Sequence, residues 1–167
     1  MRVSANLVIG SDGSTTIAGH SAGLSSQIDR KRFHQLRENS QVILIGGNTA
    51  RNEPYSKTPK QLIVVTKLPE IENLAPNTIF LNLDPVEALT KVKEDFSGQI
   101  LIEGGPSFLK PLLSNQLIEN FYVTVSKVSG GEGQIDLQEL TQNYELVQSL
   151  DNDEDPAEKF LLFKPKK

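Results

Sequence analysis

The sequence predicts an α/β fold with a mostly parallel central sheet, helices on both faces and an antiparallel hairpin at the C-terminal end. Short aliphatic runs without clean polar alternation indicate strands buried on both faces, as in parallel sheets. These runs alternate with helical patterns, which favours strand–helix–strand units. Two of them, residues 42–45 and 100–103, lead directly into a pair of glycines. Two late apolar runs predict the hairpin.

The helix starts carry local signals. Ser26 and Asp29, three residues apart, resemble a capping box. Asp84 precedes a proline and has Glu87 at the third helical position, which is typical of an N-cap. The predicted helices cover residues 26–38, 84–92 and 108–113.

The strands are predicted from runs of aliphatic and β-branched residues. Residues 121–128 alternate in part, so we expect them to form an antiparallel strand near the sheet edge. Residues 14–17 form either a short strand or the return from a turn. Glycines in 130–133 predict a turn, and the acidic residues 151–155 predict the solvated hairpin tip. The predicted strands are residues 3–9, 42–45, 62–65, 79–83, 100–103 and 121–128, followed by the hairpin strands 144–149 and 160–163.

The composition limits the possible functions. The 167 residues are enough for one domain (1–167), and 37% hydrophobic with 23% charged residues is typical of a globular protein. A net charge of −4 argues against a nucleic-acid surface. The sequence has no cysteine, which excludes a thiolate nucleophile and a Cys-ligated zinc. Its two histidines, His20 and His34, have no partner at metal-ligand spacing, so we expect no metal. Without a membrane-length apolar run or a signal pattern, we expect a cytoplasmic protein.

The two glycine pairs point to a ligand. Gly46 and Gly47 follow one predicted buried strand, and Gly104 and Gly105 follow another. Glycine lets the backbone turn sharply and approach a ligand closely, because it has no Cβ atom. Pro106 then suits the first turn of a helix, whose N-terminus favours anions. Two such turns in one domain predict a phosphate-bearing ligand.

Several segments together carry a family resemblance. They are residues 11–13 (Ser-Asp-Gly), 19–26 (Gly-His-Ser-Ala-Gly-Leu-Ser-Ser), 36–37 (Leu-Arg), 45–55 (Ile-Gly-Gly-Asn-Thr-Ala-Arg-Asn-Glu-Pro-Tyr) and 102–106 (Ile-Glu-Gly-Gly-Pro). In this order and spacing they resemble the pyrimidine reductases of riboflavin biosynthesis, in a stand-alone, single-domain form. The same family forms the C-terminal domain of bifunctional riboflavin-specific deaminase/reductases. The resemblance extends from about residue 3 to residue 133.

This resemblance implies a dihydrofolate-reductase-like fold, NADPH as hydride donor and a homodimer. It implies reduction of the ribose of 5-amino-6-(5-phosphoribosylamino)uracil to the ribityl form. Two other functions stay open. One is an NADPH-dependent reductase of another heterocycle, such as dihydrofolate. The other is a non-catalytic nucleotide-binding protein that kept the fold.

The resemblance assigns Ser21, Arg37 and Glu103 to the substrate. Glu103 ends a buried strand, where α/β sheets bind ligands, and its carboxylate can accept two pyrimidine N–H groups; the alternative is a pair with a neighbouring arginine. The Arg37 guanidinium suits the substrate phosphate, or else is a surface charge at a helix C-terminus. Ser21 is either a substrate contact or a turn residue. Glu103 is also a catalytic candidate, as is Asp12, which otherwise is a turn acid.

The resemblance assigns two segments to the cofactor. A hydroxyl in the first can reach a phosphate or ribose, and helix-start N–H groups in the second can face the pyrophosphate. Arg51 is a candidate for the 2′-phosphate that distinguishes NADPH from NADH. Each candidate has a structural alternative. The glycine pairs could be ordinary turns at strand ends, Arg51 a solvated loop charge, and Thr66 an ordinary strand threonine. The candidates are Gly46, Gly47, Thr49, Arg51 and Thr66, followed by Gly104, Gly105, Pro106, Ser107, Phe108 and Leu109.

The sequence departs from the bifunctional enzymes at three places. Gly23 replaces a tryptophan near the cofactor, which we expect to widen the site. Asn6 stands where some members carry a basic residue. The segment after residue 48 is one residue shorter, which leaves open whether Asn52 or Glu53 matches the cofactor-contacting acid.

Overall fold

The computed structural model describes residues 2–68 and 70–167, which form one eight-stranded sheet with five α-helices around it. The strands are β1 (Val3–Ile9), β2 (Val42–Gly46), β3 (Gln61–Val65), β4 (Ile79–Leu81), β5 (Ile100–Ile102), β6 (Asn120–Val125), β7 (Tyr144–Asp151) and β8 (Lys159–Pro165). The helices are α1 (Gln27–Glu38), α2 (Gly47–Asn52), α3 (Pro85–Asp95), α4 (Pro106–Ser114) and α5 (Leu137–Leu140).

The sheet has the order β4-β3-β2-β5-β1-β6-β8-β7. Strands β1 to β6 pair in parallel, and β8 runs antiparallel to both β6 and β7. Strand β5 lies between β1 and β2 and pairs with both. The carboxyl ends of β1, β2 and β5 therefore lie side by side. The predicted mostly parallel sheet with a C-terminal antiparallel hairpin is confirmed.

The prediction for residues 121–128 holds on one side of the strand only. Strand β6 pairs antiparallel with β8 but in parallel with β1, and β7 instead forms the sheet edge. The partial alternation has another cause. Phe121 and Val123 are buried in the main core, whereas Tyr122 and Thr124 face the opposite side of the sheet.

Two cores explain why the central strands show no polar alternation. Val42 and Leu44 pack in the main core with residues of α3 and α4. The alternate residues Ile43 and Ile45 pack on the other face, in a smaller core that includes Tyr55. All four aliphatic side chains are fully buried. Helices therefore cover both faces of the sheet, and both faces of β2 need apolar residues.

Helix α1 is fixed to the sheet by polar contacts at its start. The Ser26 hydroxyl accepts the Asp29 N–H at 3.0 Å and donates to Glu158 of the hairpin at 2.7 Å. The buried Asp29 carboxylate accepts hydroxyl hydrogens from Ser25 and from Thr124 of β6. The predicted N-cap is confirmed. Together these contacts fix the orientation of α1 against the sheet.

The helix α2 was not predicted, since residues 46–49 were interpreted as a turn. Gly47, Asn48 and Thr49 are poor helix formers, so tertiary packing of Ala50 overrides their propensity. Within residues 2–68 and 70–167, no helix is long and apolar enough to cross a membrane.

Candidate active site

The two glycine turns converge at the carboxyl ends of β2 and β5. The Gly105 N–H donates to Thr49 Oγ1 at 3.1 Å, which joins the turns directly. Beside them opens a cleft of about 640 Å³, here called the main cleft; its lining includes Asn6, Ser21, Arg37, Thr49, Tyr55, Glu103 and Gly105. A second depression of about 250 Å³, the side groove, is lined by residues that include Gly46, Gly47, Arg51, Thr66, Ser107 and Phe108. Thr49, Gly105 and Ser107 line both, so the main cleft and the side groove are continuous.

The glycines differ in what they make room for. A Cβ atom on Gly46 would lie 3.3 Å from atoms of the Phe108 side chain, and one on Gly104 would lie 2.6 Å from Phe108 Cδ1. A Cβ atom on Gly47 would lie 2.6 Å from Thr66 Oγ1. Only at Gly105, among these four, is the space open, with Thr49 Oγ1 at 3.8 Å. Three glycines therefore serve internal packing, and Gly105 is the position where a ligand can approach the backbone.

Glu103 lines the main cleft, and its carboxylate is paired. Arg37 Nε donates to its Oε1 at 2.8 Å, and Arg37 Nη2 donates to its Oε2 at 2.7 Å. The Tyr55 hydroxyl donates to Oε2 at 2.7 Å. The Glu103 side chain is 3% exposed and that of Arg37 is 14% exposed. The pair with a neighbouring arginine, considered above as the alternative, is thus present in the structure.

Burial and charge hold these groups in fixed protonation states. Burial raises the pKa of Tyr55 well above its ordinary value, and the negative charge of Glu103 raises it further. Burial alone would lower the pKa of Arg37, but the hydrogen bonds and charge of Glu103 outweigh it, and the pKa is raised. The Arg37 guanidinium also lies over the rings of Phe33 and Tyr55, at 4.3 and 5.2 Å from their centroids.

Ser21 also lines the main cleft. Its N–H donates to Glu53 Oε1 at 2.7 Å, which ties its loop to the end of α2. His20 Nδ1 lies 2.5 Å from the backbone oxygen of Asn52 in the same contact region. Both Asn52 and Glu53 line the main cleft, so the shorter segment keeps a polar wall here.

Arg51 and Thr66 meet in the side groove. Arg51 Nη2 donates to Thr66 Oγ1 at 3.1 Å and to the Leu68 backbone oxygen at 3.0 Å. The Arg51 side chain belongs to an exposed residue, so its remaining N–H groups face solvent and the groove. This places a cation beside the glycine turns, where the sequence predicts a phosphate.

The start of α4 offers fewer free backbone N–H groups for a cofactor than the sequence suggests. Leu109 is fully buried in the main core, and its N–H donates to the Gly105 backbone oxygen, as does that of Phe108. Neither residue can therefore use its N–H for a cofactor, and Phe108 is instead the side chain that fills the space beside the glycines. Ser107 is exposed at the helix start and lines both the main cleft and the side groove.

Asp12 and Gly23 lie outside the lining of the main cleft. Asp12 accepts the hydroxyl and N–H of Ser14 at 2.6 and 3.1 Å and the Gly130 N–H at 2.9 Å. These bonds, led by that of the Ser14 hydroxyl, lower its pKa to about 2. A Cβ atom on Gly23 would lie 2.9 Å from Ile17 Cβ, so the glycine serves local packing and does not widen the cleft.

Among the cleft residues that were not predicted, two make contacts that shape the site. Tyr55 ends the segment 45–55 that carries the family resemblance, but no function was predicted for it. A tyrosine within a polar loop indicates that its hydroxyl has a specific hydrogen-bond partner. Asp29 was interpreted only as a capping residue, yet its carboxylate lines the cleft and binds Thr124. The second contact joins residues 95 positions apart, which no local pattern reveals.

Comparisons with known proteins agree with this geometry. Residues 2–62 match the family model described as the RibD C-terminal domain. A deaminase/5-amino-6-(5-phosphoribosylamino)uracil reductase from Thermotoga maritima superposes with a TM-score of 0.74 at 15% identity, covering 99% of this chain and 56% of that one. A pyrimidine reductase-like protein from Corynebacterium diphtheriae gives 0.72 at 16% identity, covering 99% and 92%. Dihydrofolate reductase from Enterococcus faecalis, complexed with NADP(H), gives 0.72 at 16%, covering 99% and 97%.

These comparisons define the fold of the chain. The chain has the dihydrofolate-reductase-like fold, as predicted. The predicted resemblance to the reductase family of riboflavin biosynthesis is confirmed, with the sequence match confined to residues 2–62. The chain spans just over half the length of the bifunctional Thermotoga protein. No curated protein matches the chain in a sequence search.

Proposed function

We propose that this chain is an NADPH-dependent reductase that converts 5-amino-6-(5-phosphoribosylamino)uracil to 5-amino-6-(5-phosphoribitylamino)uracil, as a single reductase domain. The observation that carries the proposal is the meeting of the two glycine turns beside Glu103. The Gly105–Thr49 hydrogen bond joins the two turns, and Thr49, Gly105 and Glu103 all line the main cleft. A dinucleotide along the turns and a pyrimidine at Glu103 would then be neighbours.

The residues of the turns fit a dinucleotide. Gly105 leaves open space against the backbone, and Ser107 presents a helix N-terminus that favours a phosphate. Arg51 and Thr66 lie in the side groove, where a guanidinium and a hydroxyl suit the 2′-phosphate of NADPH. When bound, NADPH supplies the hydride; the protein's part is to bind and orient both molecules.

The residues of the main cleft fit a polar heterocycle with a sugar chain. Glu103 would accept an N–H of the pyrimidine ring, and Ser21, which lines the same cleft, would contact the ribose chain. Arg37 uses two of its five N–H groups on Glu103, so the others stay available for a substrate oxygen or phosphate. The walls of the cleft would exclude water from one side of the ribose and hold its carbon skeleton in place.

The test is a titration followed by a turnover assay. We expect NADPH to bind more tightly than NADH, and NADPH absorbance to fall when 5-amino-6-(5-phosphoribosylamino)uracil is added. The dephosphorylated substrate is the matched control for phosphate recognition. Tight NADPH binding without oxidation in the presence of the pyrimidine would contradict this substrate and leave either a reductase of another heterocycle or a nucleotide-binding protein.

A second candidate is an NADPH-dependent reductase of another heterocycle, such as dihydrofolate. One observation favours it: the chain superposes on the dihydrofolate reductase from Enterococcus faecalis over 99% of its own length and 97% of that protein's. Faster turnover of dihydrofolate than of the pyrimidine would select this candidate.

We further propose a cytoplasmic homodimer, on the family resemblance. Strand β7 is the edge of the sheet and exposes Leu146, Val147 and Leu150, so it provides an apolar surface for a second copy. Light scattering coupled to gel filtration measures the mass in solution, and a monomer at micromolar concentration would contradict the dimer.

A further inference from the structure

Tyr55 supplies one of the three hydrogen bonds that hold Glu103. Its hydroxyl donates to Oε2 at 2.7 Å, from the loop between α2 and β3. Arg37 of α1 donates to Oε1 at 2.8 Å and to Oε2 at 2.7 Å. The carboxylate at the end of β5 is therefore held from two other elements of the fold.

The arrangement leaves Glu103 little freedom to accept more hydrogen bonds. An ionised carboxylate has about four acceptor positions on its two oxygens. Oε2 accepts from both Tyr55 and Arg37, whereas Oε1 accepts only from Arg37 among the residues that the structure describes. One position on Oε1 thus remains for a ligand in the main cleft, which Glu103 lines.

Tyr55 is itself immobilised. The residue is 5% exposed and packs in the smaller core, and its backbone oxygen accepts the Ala75 N–H at 3.0 Å. The charged groups that face its hydroxyl are Glu103, Arg37 and the more distant Glu53. Burial and the charge of Glu103 raise the pKa of Tyr55, so the phenol keeps its proton and remains a donor.

We propose that Tyr55 is a positioning residue of the active site: its hydroxyl, together with Arg37, fixes the Glu103 carboxylate so that Oε1 accepts one N–H of the substrate ring. The proposal deepens the proposed function and rests on it for the identity of the substrate. Its chemical consequence is recognition of a single ring N–H at Glu103, in place of the two that the sequence suggests.

Tyr55→Phe tests the role in turnover, and Tyr144→Phe is the matched control. Tyr144 is also a buried tyrosine, but its hydroxyl binds the backbone of Ile118, and it does not line the main cleft. Both variants lose a buried hydroxyl and keep the ring, so we expect a similar fall in melting temperature. Only Tyr55→Phe should lower kcat, by about ten-fold, the usual effect of losing a hydrogen bond to a charged group. Its KM for NADPH should stay unchanged. Wild-type kcat in folded Tyr55→Phe overturns the proposal.

A second measurement needs no activity. In protein labelled with ¹³C at the tyrosine ring, the Cζ resonance of Tyr55 reports ionisation of its hydroxyl. We expect Tyr55 to ionise at a lower pH in Glu103→Gln than in the wild type, because the charge that raises its pKa is gone. Titration at the same pH in both proteins overturns the proposal. Failure of the wild type to oxidise NADPH with the pyrimidine, while this titration shift is present, refutes the proposed substrate and leaves the Tyr55–Glu103 contact supported.

Discussion

The Phe108 side chain fills the space that a Cβ atom on Gly104 would need, at 2.6 Å from its Cδ1. Phe108 is buried and belongs to the main core, one helical turn into α4. The glycine therefore lets α4 pack closely against the end of β5. The next glycine, Gly105, has no such neighbour and faces the cleft. Adjacent glycines thus have separate roles, which substitutions can separate.

We expect Gly104→Ala to lower the free energy of unfolding by about 1–3 kcal/mol, because the new methyl group overpacks the core against Phe108. Gly105→Ala should cost less, about 0.5–1 kcal/mol, because Gly105 has an ordinary φ of −70° and open space beside it, although it is the N-cap of α4, where alanine is disfavoured. Urea unfolding of both variants measures the difference. Equal losses in the two variants would contradict the separation of roles.

The same Gly105→Ala variant should bind NADPH more weakly by about ten-fold, because its methyl group occupies the space where the cofactor would approach the backbone. A fluorescence titration with NADPH measures the dissociation constant. Unchanged affinity in this variant would place the cofactor elsewhere.

Arg51→Gln should reduce the preference for NADPH over NADH by about ten-fold, the usual value of a charge-assisted contact to a phosphate. The affinity for NADH itself should change little. Arg2→Gln is the control, since it removes an exposed arginine that does not line the main cleft or the side groove. An equal loss of affinity for NADPH and NADH would show that Arg51 acts only by holding its loop in place.

Disrupting the Arg37–Glu103 ion pair should lower both the free energy of unfolding and kcat. Removing one partner leaves the other partly buried without its ion pair, so Arg37→Met and Glu103→Gln should each cost about 1–3 kcal/mol. The double variant should cost less than the two single costs combined, and its kcat should be as low as that of Glu103→Gln. Chemical unfolding and single-turnover assays of the four proteins measure both effects. Additive losses would show that the pair is not coupled.

The hydrogen bonds to Asp12 should make the stability of the protein depend on pH, and we expect no catalytic role for its carboxylate. Its pKa is lowered from 3.8 to about 2, chiefly by the Ser14 hydroxyl and the Gly130 N–H. Because the folded-state pKa lies below the unfolded one, the stabilisation is complete above about pH 4 and is lost as the pH falls towards about 2. The melting temperature of Asp12→Asn should therefore lie below that of the wild type at pH 6, and the difference should shrink between pH 4 and 2. Reduced kcat in folded Asp12→Asn would instead restore Asp12 as a catalytic residue.

The sequence predicts the buried strands well, because strands covered on both faces need continuous aliphatic residues. It does not predict that β6 pairs in parallel with β1, since the two strands lie at distant positions in the chain. The glycine turns are recognisable, but the neighbour that each glycine accommodates is not. Likewise Tyr55, Arg37 and Glu103 come from three separate segments, and only the fold brings their side chains together.

During synthesis on the ribosome, β1 and β2 emerge well before β5, the strand that lies between them. The segment with the family match, residues 2–62, contains β1 and β2 but not β5. Until residues 100–102 have left the exit tunnel, the facing edges of both strands lack their partner and are open to other chains. We therefore expect the nascent chain to need chaperone protection through this interval, and a fragment that ends at residue 62 to aggregate.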